Sequence, residues 1–180
     1  MKYLLLILAF NSCAINPYKS WSGKARIYVD SSEDAHFIKS MYNAVCVWNN
    51  IIGLEVAEVI VESNVRLEEG DGLTTASINP KKLSDYQLGS AETRYMASRI
   101  YESDLYFKLK PNMIKVTIHE VGHLLGYFGH SKEVESMMNA HAFHGQTILP
   151  ADAEYIRNLY KHSYAYKTHN KVCELGTNDE

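Results

Sequence analysis

The sequence predicts one α+β domain built on a single mixed sheet. Its 180 residues suffice for one domain rather than two, and a chain of that length buries roughly 70% of its unfolded surface. Hydrophobic residues at 46% and charged residues at 22% are ordinary globular values, which excludes a disordered, collagen-like or low-complexity chain. The apolar patterning then runs strand, helix, several strands, helix, irregular loop and last helix, the order of an α+β domain.

The elements follow in chain order. Met1 and Lys2 precede the apolar run 3–10, which is too short to span a bilayer and reads as an export signal. Two processing sites fit. Ser12, Cys13 and Ala14 are small enough for cleavage after Ala14; alternatively Phe10, Asn11, Ser12 and Cys13 resemble a lipoprotein signal, with Cys13 lipidated and attached to a membrane. Cys46 and Cys173 then remain in an oxidising compartment. They either bridge the C-terminal tail to an early helix or stay separate, with Cys46 buried as a small apolar residue.

Residues 25–29 form a first strand. Ser31 and Asp34 stand at capping-box spacing before Phe37, Ile38, Met41, Val45 and Trp48, which recur at helical intervals up to Gly53. The β-rich runs 54–61 and 64–67 supply one or two strands, 68–72 a turn, and 73–87 reads as polar and irregular. Residues 89–97 and 99–107 are two further strands. Pro111 opens a second helix through Met113, Ile114, Ile118, Val121 and Leu125 to Gly126. After a loop rich in His, Ser and Met, residues 149–152 start a last helix with Ile156, Leu159 and Tyr160 on one face.

Eighteen Lys and Arg against 21 Asp and Glu give a formal charge of -3, which argues against nucleic acid as a partner. The chemistry concentrates in 119–130. His119 and His123, four apart on a helix, project from one face and can bring two imidazoles to one metal ion. Neutral imidazole suits zinc, and catalytic zinc takes three protein ligands plus water. Glu120 sits beside the first ligand, where a carboxylate can take a proton from an acidified water. The third ligand must come from beyond the helix. Gly126 is suited to the turn, since glycine accepts positive φ at a helix end, and His130 is the nearest donor past it.

With these residues in place the sequence resembles the metzincin metalloproteases, most closely the matrixins. Metzincins carry His-Glu-x-x-His-x-x-Gly-x-x-His followed by a Met-turn, matched here by His119, Glu120, His123 and Gly126, with Met138 at the interval of the Met-turn methionine and Met137 as the competing choice. The run 148–160 is similar to the final matrixin helix; Trp21 and the early helix ending at 47–49 also fit. The resemblance covers most of 21–162 and is specific over 119–160. It implies a zincin-like twisted five-stranded sheet, an active-site helix, a small C-terminal subdomain and a final helix. The domains are then 1–14 as signal, 15–165 as catalytic domain and 166–180 as tail.

One departure stands out. Gly129 occupies the position of the family's third histidine, and His130 follows one residue later. The extra residue either bulges out of the turn or displaces His130; His141 and His144 are the fallback donors. The resemblance implies one catalytic zinc held by His119, His123 and His130, with Glu120 as general base. It implies a protein or peptide substrate bound in extended form along a sheet edge within 89–97, and an exported enzyme, secreted, periplasmic or lipid-anchored. The alternative is a zinc-binding recognition module at the cell surface that does not cut. His36, His162 and His169 are expected at the surface, and Tyr101, Tyr106 and Tyr127 in sheet packing or a pocket wall.

Overall fold

A computed structural model describes residues 20–63, 74–108, 113–140 and 146–161. Cleavage or lipidation near Cys13, pairing of Cys173, the strand 64–67, the turn 68–72, the helix start at Pro111, and His141, His144, His162 and His169 lie outside these residues.

The elements are β1 Ser20–Trp21, β2 Ala25–Asp30, α1 Ala35–Ile52, β3 Ala57–Glu62, β4 Thr74–Ile78, β5 Gly89–Met96, β6 Arg99–Phe107, α2 Met113–Leu124 and α3 Pro150–Tyr160, with a 3-10 turn at Pro80–Lys82. The long strands lie in the order β3, β2, β4, β6, β5. β1 adds two residues to β6 at Arg99 and Ile100, so among the described residues the sheet has six strands rather than five. All pairings are parallel except β5 on β6. Among the described residues β5 is therefore an antiparallel edge strand on an otherwise parallel sheet.

Parallel strands need cover on both faces, because helices or loops connect them. In β2 the inward residues Ala25, Ile27 and Val29 are fully buried and alternate with more exposed ones. α1 packs on β3 and on α2, α2 on β5 and β6, and α3 on α1. The core runs through Ile27, Phe37, Met41, Trp48, Leu105, Phe107, Val121, Leu124 and Ile156. Among the described residues no helix is long and apolar enough to cross a membrane.

Two local expectations are corrected. The stretch 73–87, expected to be irregular, contains β4, a central strand between β2 and β6. Its Thr74, Thr75, Ala76 and Ser77 are all buried. With both faces covered it lacks the in–out alternation that marks a strand, and its hydroxyls suggest a loop. Thr75 Oγ1 instead donates to Asp104 Oδ1 at 2.7 Å. The N-cap of α1 is Asp34, not Ser31: Asp34 Oδ1 accepts from the amides of His36 and Phe37. Gly53 ends α1 as expected, with φ 71°.

Candidate metal centre

α2 presents His119 and His123 one turn apart, and its end is built to turn the chain back. The amide of Tyr127 donates to Gly122 O at 3.0 Å and that of Gly126 to His123 O at 2.9 Å. These paired bonds make a Schellman cap, which requires the left-handed backbone of Gly126 (φ 103°). Trp21 Nε1 donates to Leu124 O and Tyr160 Oη to Leu125 O, so both ends of the described chain satisfy carbonyls the helix leaves open. Gly129 (φ 83°) makes a second left-handed bend just before His130.

The two bends bring the third imidazole in. One nitrogen from each of His119, His123 and His130 lies within 4.8 Å of the others. The ring of His130 is 5.3 Å from His119 and 5.0 Å from His123, centre to centre. The extra residue before His130 is thus absorbed in the turn, and the ring is not displaced.

Hydrogen bonds set the chemistry of the rings. His119 Nδ1 lies 2.7 Å from Met137 O, and His123 Nδ1 lies 2.6 Å from Tyr127 O. A carbonyl only accepts, so each Nδ1 carries the proton and each Nε2 keeps its lone pair. Burial lowers the pKa of both rings, that of His123 to about 4, with the neighbouring imidazoles adding to the effect. The rings are therefore neutral at neutral pH. Their Nε2 atoms face each other at 3.0 Å, two lone pairs that repel unless a cation lies between them. Tetrahedral zinc with nitrogen at 2.0–2.1 Å separates its donors by about 3.3 Å. The donor set fits zinc.

Glu120 is buried beside the cluster, and burial pushes its carboxyl up to about 8. A divalent cation at the imidazoles would oppose that shift. Its place depends on Gly89: a Cβ there would lie 2.8 Å from Glu120 Cγ, 2.9 Å from Oε1 and 2.9 Å from Val116 Cγ1. Beneath the histidines, Met138 is fully buried. A Cβ on Gly122 would sit 2.5 Å from Met138 Sδ and 2.8 Å from Trp48 Cζ2, so this glycine lets both side chains reach the helix between the two histidines. The Met138 side chain lies at that position, while Met137 contributes its carbonyl to His119.

One buried carboxylate ties these parts together. Asp152, 2% exposed, accepts from Tyr127 Oη (3.0 Å), Ser136 Oγ (2.7 Å) and the Leu149 amide (3.0 Å). Tyr127 supplies the carbonyl that holds His123. Ser136 Oγ accepts from the Met138 amide at 2.9 Å, next to the carbonyl that holds His119. Sequence reasoning placed Asp152 only at a helix start, where an acidic residue explains itself by capping. Gly89 was also missed, although a glycine in a strand marks a close approach.

A cleft of about 370 Å³ opens over the cluster, lined along β5 by Gly89, Ser90, Ala91, Thr93 and Tyr95 and opposite by Phe128 and Gly129. Tyr127 instead anchors to Asp152, Tyr106 is buried, and Tyr101 and His36 are exposed. The family model for Matrixin matches residues 24–161. No curated protein matches the chain.

Proposed function

The chain belongs to the matrixin family of metallopeptidases, and from that premise we propose that it is a zinc-dependent endopeptidase. The observation that carries the reading is the convergence of three imidazoles, two fixed as Nε2 donors, beside a buried glutamate. His119, His123 and His130 would hold one zinc ion. When bound, zinc supplies Lewis acidity, which acidifies water and polarises a peptide carbonyl.

The chain's own residues do the rest. Glu120, ionised next to a cation, takes a proton from the attacking water and passes it to the departing amine. Gly89 keeps the space its carboxylate needs. β5 is paired with β6 along one edge, and its cleft side offers backbone groups to a substrate laid alongside as an extended strand. Met138 and Trp48 form the floor that keeps the histidine-bearing helix in place.

An exported protein, secreted, periplasmic or attached through a lipid on Cys13, fits the leader 1–14. The alternative, a recognition module that does not cut, drew its support from the extra residue before His130. The closeness of the three imidazoles despite that residue favours the peptidase over this alternative.

Glu120→Ala tests the reading. On a mixed peptide library the variant should keep one zinc by elemental analysis and lose about 10²- to 10⁴-fold in hydrolysis, and a chelator should abolish wild-type cutting. Near-full activity in the variant would refute the role of Glu120, and two metals per chain would refute the single site.

A further inference from the structure

Gly89, at the first position of β5, lies against Glu120; Tyr95, next to the last, lies at the other end of the same strand. There its ring meets Phe128 edge to face, centroids 5.6 Å apart at 66°. Both rings line the cleft that holds the three histidines. The local chain is shaped to put them there. The Tyr127 side chain is drawn towards Asp152, and the next residue, Phe128, faces the cleft between the left-handed Gly126 and Gly129. On β5, a register shift falls between Arg94 and Tyr95, the kind of bulge that bends a strand pair and re-aims its side chains.

The packing of the fold does not use these rings fully. Tyr95 is 47% and Phe128 37% exposed, so each keeps an open apolar surface. The other β5 side chains in the cleft are small, those of Ser90, Ala91 and Thr93. We infer that Tyr95 and Phe128 recognise an aromatic or large aliphatic side chain of the peptide substrate, held at one fixed position relative to the bond that is cut. The inference rests on the peptidase reading and gives it a specificity. Two rings in edge contact lose little freedom on binding, and a third apolar group extends the same cluster. An apolar pocket of this kind discriminates by about tenfold to hundredfold.

The test uses the zinc-loaded protein and a mixed peptide library, with cut sites read by mass spectrometry. Wild type should show Phe, Tyr or Leu enriched at one position. For a peptide pair carrying Phe or Gly there, the wild-type ratio of kcat/KM should be about tenfold to hundredfold, and should fall to near unity in Tyr95→Ser and in Phe128→Ser. A second reading needs no turnover: the Phe peptide should bind zinc-loaded Glu120→Gln, and more weakly by the same factor once Tyr95→Ser is added. Cutting without positional preference, or a preference that survives both substitutions, overturns this inference alone. A wild type that cuts no peptide, paired with a Glu120→Gln protein that binds none, overturns the peptidase reading and the inference with it.

Discussion

At Gly89 a missing side chain makes room for a carboxylate. An added Cβ would press on Glu120 and on Val116, and the flexible glutamate is the one that yields. Gly89→Ala should therefore lower kcat by about 10²-fold, the scale expected when a reacting group is misplaced. Zinc content should be unchanged, because the three atoms nearest that Cβ belong to Glu120 and Val116 and not to a histidine; a fall in metal affinity in step with kcat would contradict this. Asp152 acts on the metal site through others. In Asp152→Asn one of the two oxygens becomes an NH2 that no longer accepts, either from Tyr127 Oη or from Ser136 Oγ and the Leu149 amide. Expected are a loss of about 1–3 kcal/mol in urea unfolding and about tenfold weaker zinc binding in chelator competition, as the carbonyls that orient His119 and His123 loosen. Stability lost with zinc affinity intact would leave Asp152 a purely structural residue.

At the scale of elements, the decisive piece is the turn after α2. A helix face delivers two donors and no more, so the third depends on how the chain leaves the helix. The motif from His119 to Gly126 was legible because a period of four and a helix-ending glycine are local properties. Whether His130, one residue late, still reached the cluster was not legible, since it depends on the backbone angle at Gly129. Gly129→Ala places a Cβ in open space but in the left-handed region, at about 1–2 kcal/mol. Gly53→Ala, at φ 71° and also with open space, should cost a similar amount in unfolding experiments. Only Gly129→Ala should also weaken zinc binding in chelator titration; equal affinities in the two variants would show that the bend does not set His130. β4 was illegible for a related reason. Its buried Thr75 is satisfied by Asp104, far along the chain, and local pattern cannot announce such a partner.

For the whole molecule, the sheet and helices bring chain segments from distant parts of the sequence onto one centre. Trp21 and Tyr160 cap α2 from opposite ends of the described chain, and Trp48 Nε1 donates to Ile118 O across the α1–α2 contact at 2.8 Å. Metal binding should therefore stabilise the fold as a whole. At free zinc about a thousandfold above Kd the gain is about 4 kcal/mol, and stripping the metal should lower Tm by about 10 °C; a Tm indifferent to chelator would argue against zinc binding in the folded state. The helix face that carries His119, Glu120 and His123, the glycine that ends it, and the alternating strand β2 were readable from the residue order, because each is written in neighbours a few residues apart. It took the folded chain to bring His130 to the cluster, to seat Glu120 against Gly89, to brace two histidines with one aspartate, and to set Tyr95 against Phe128. Those relations join residues far apart in the chain or hang on a single backbone angle, and neither leaves a periodic mark in the sequence.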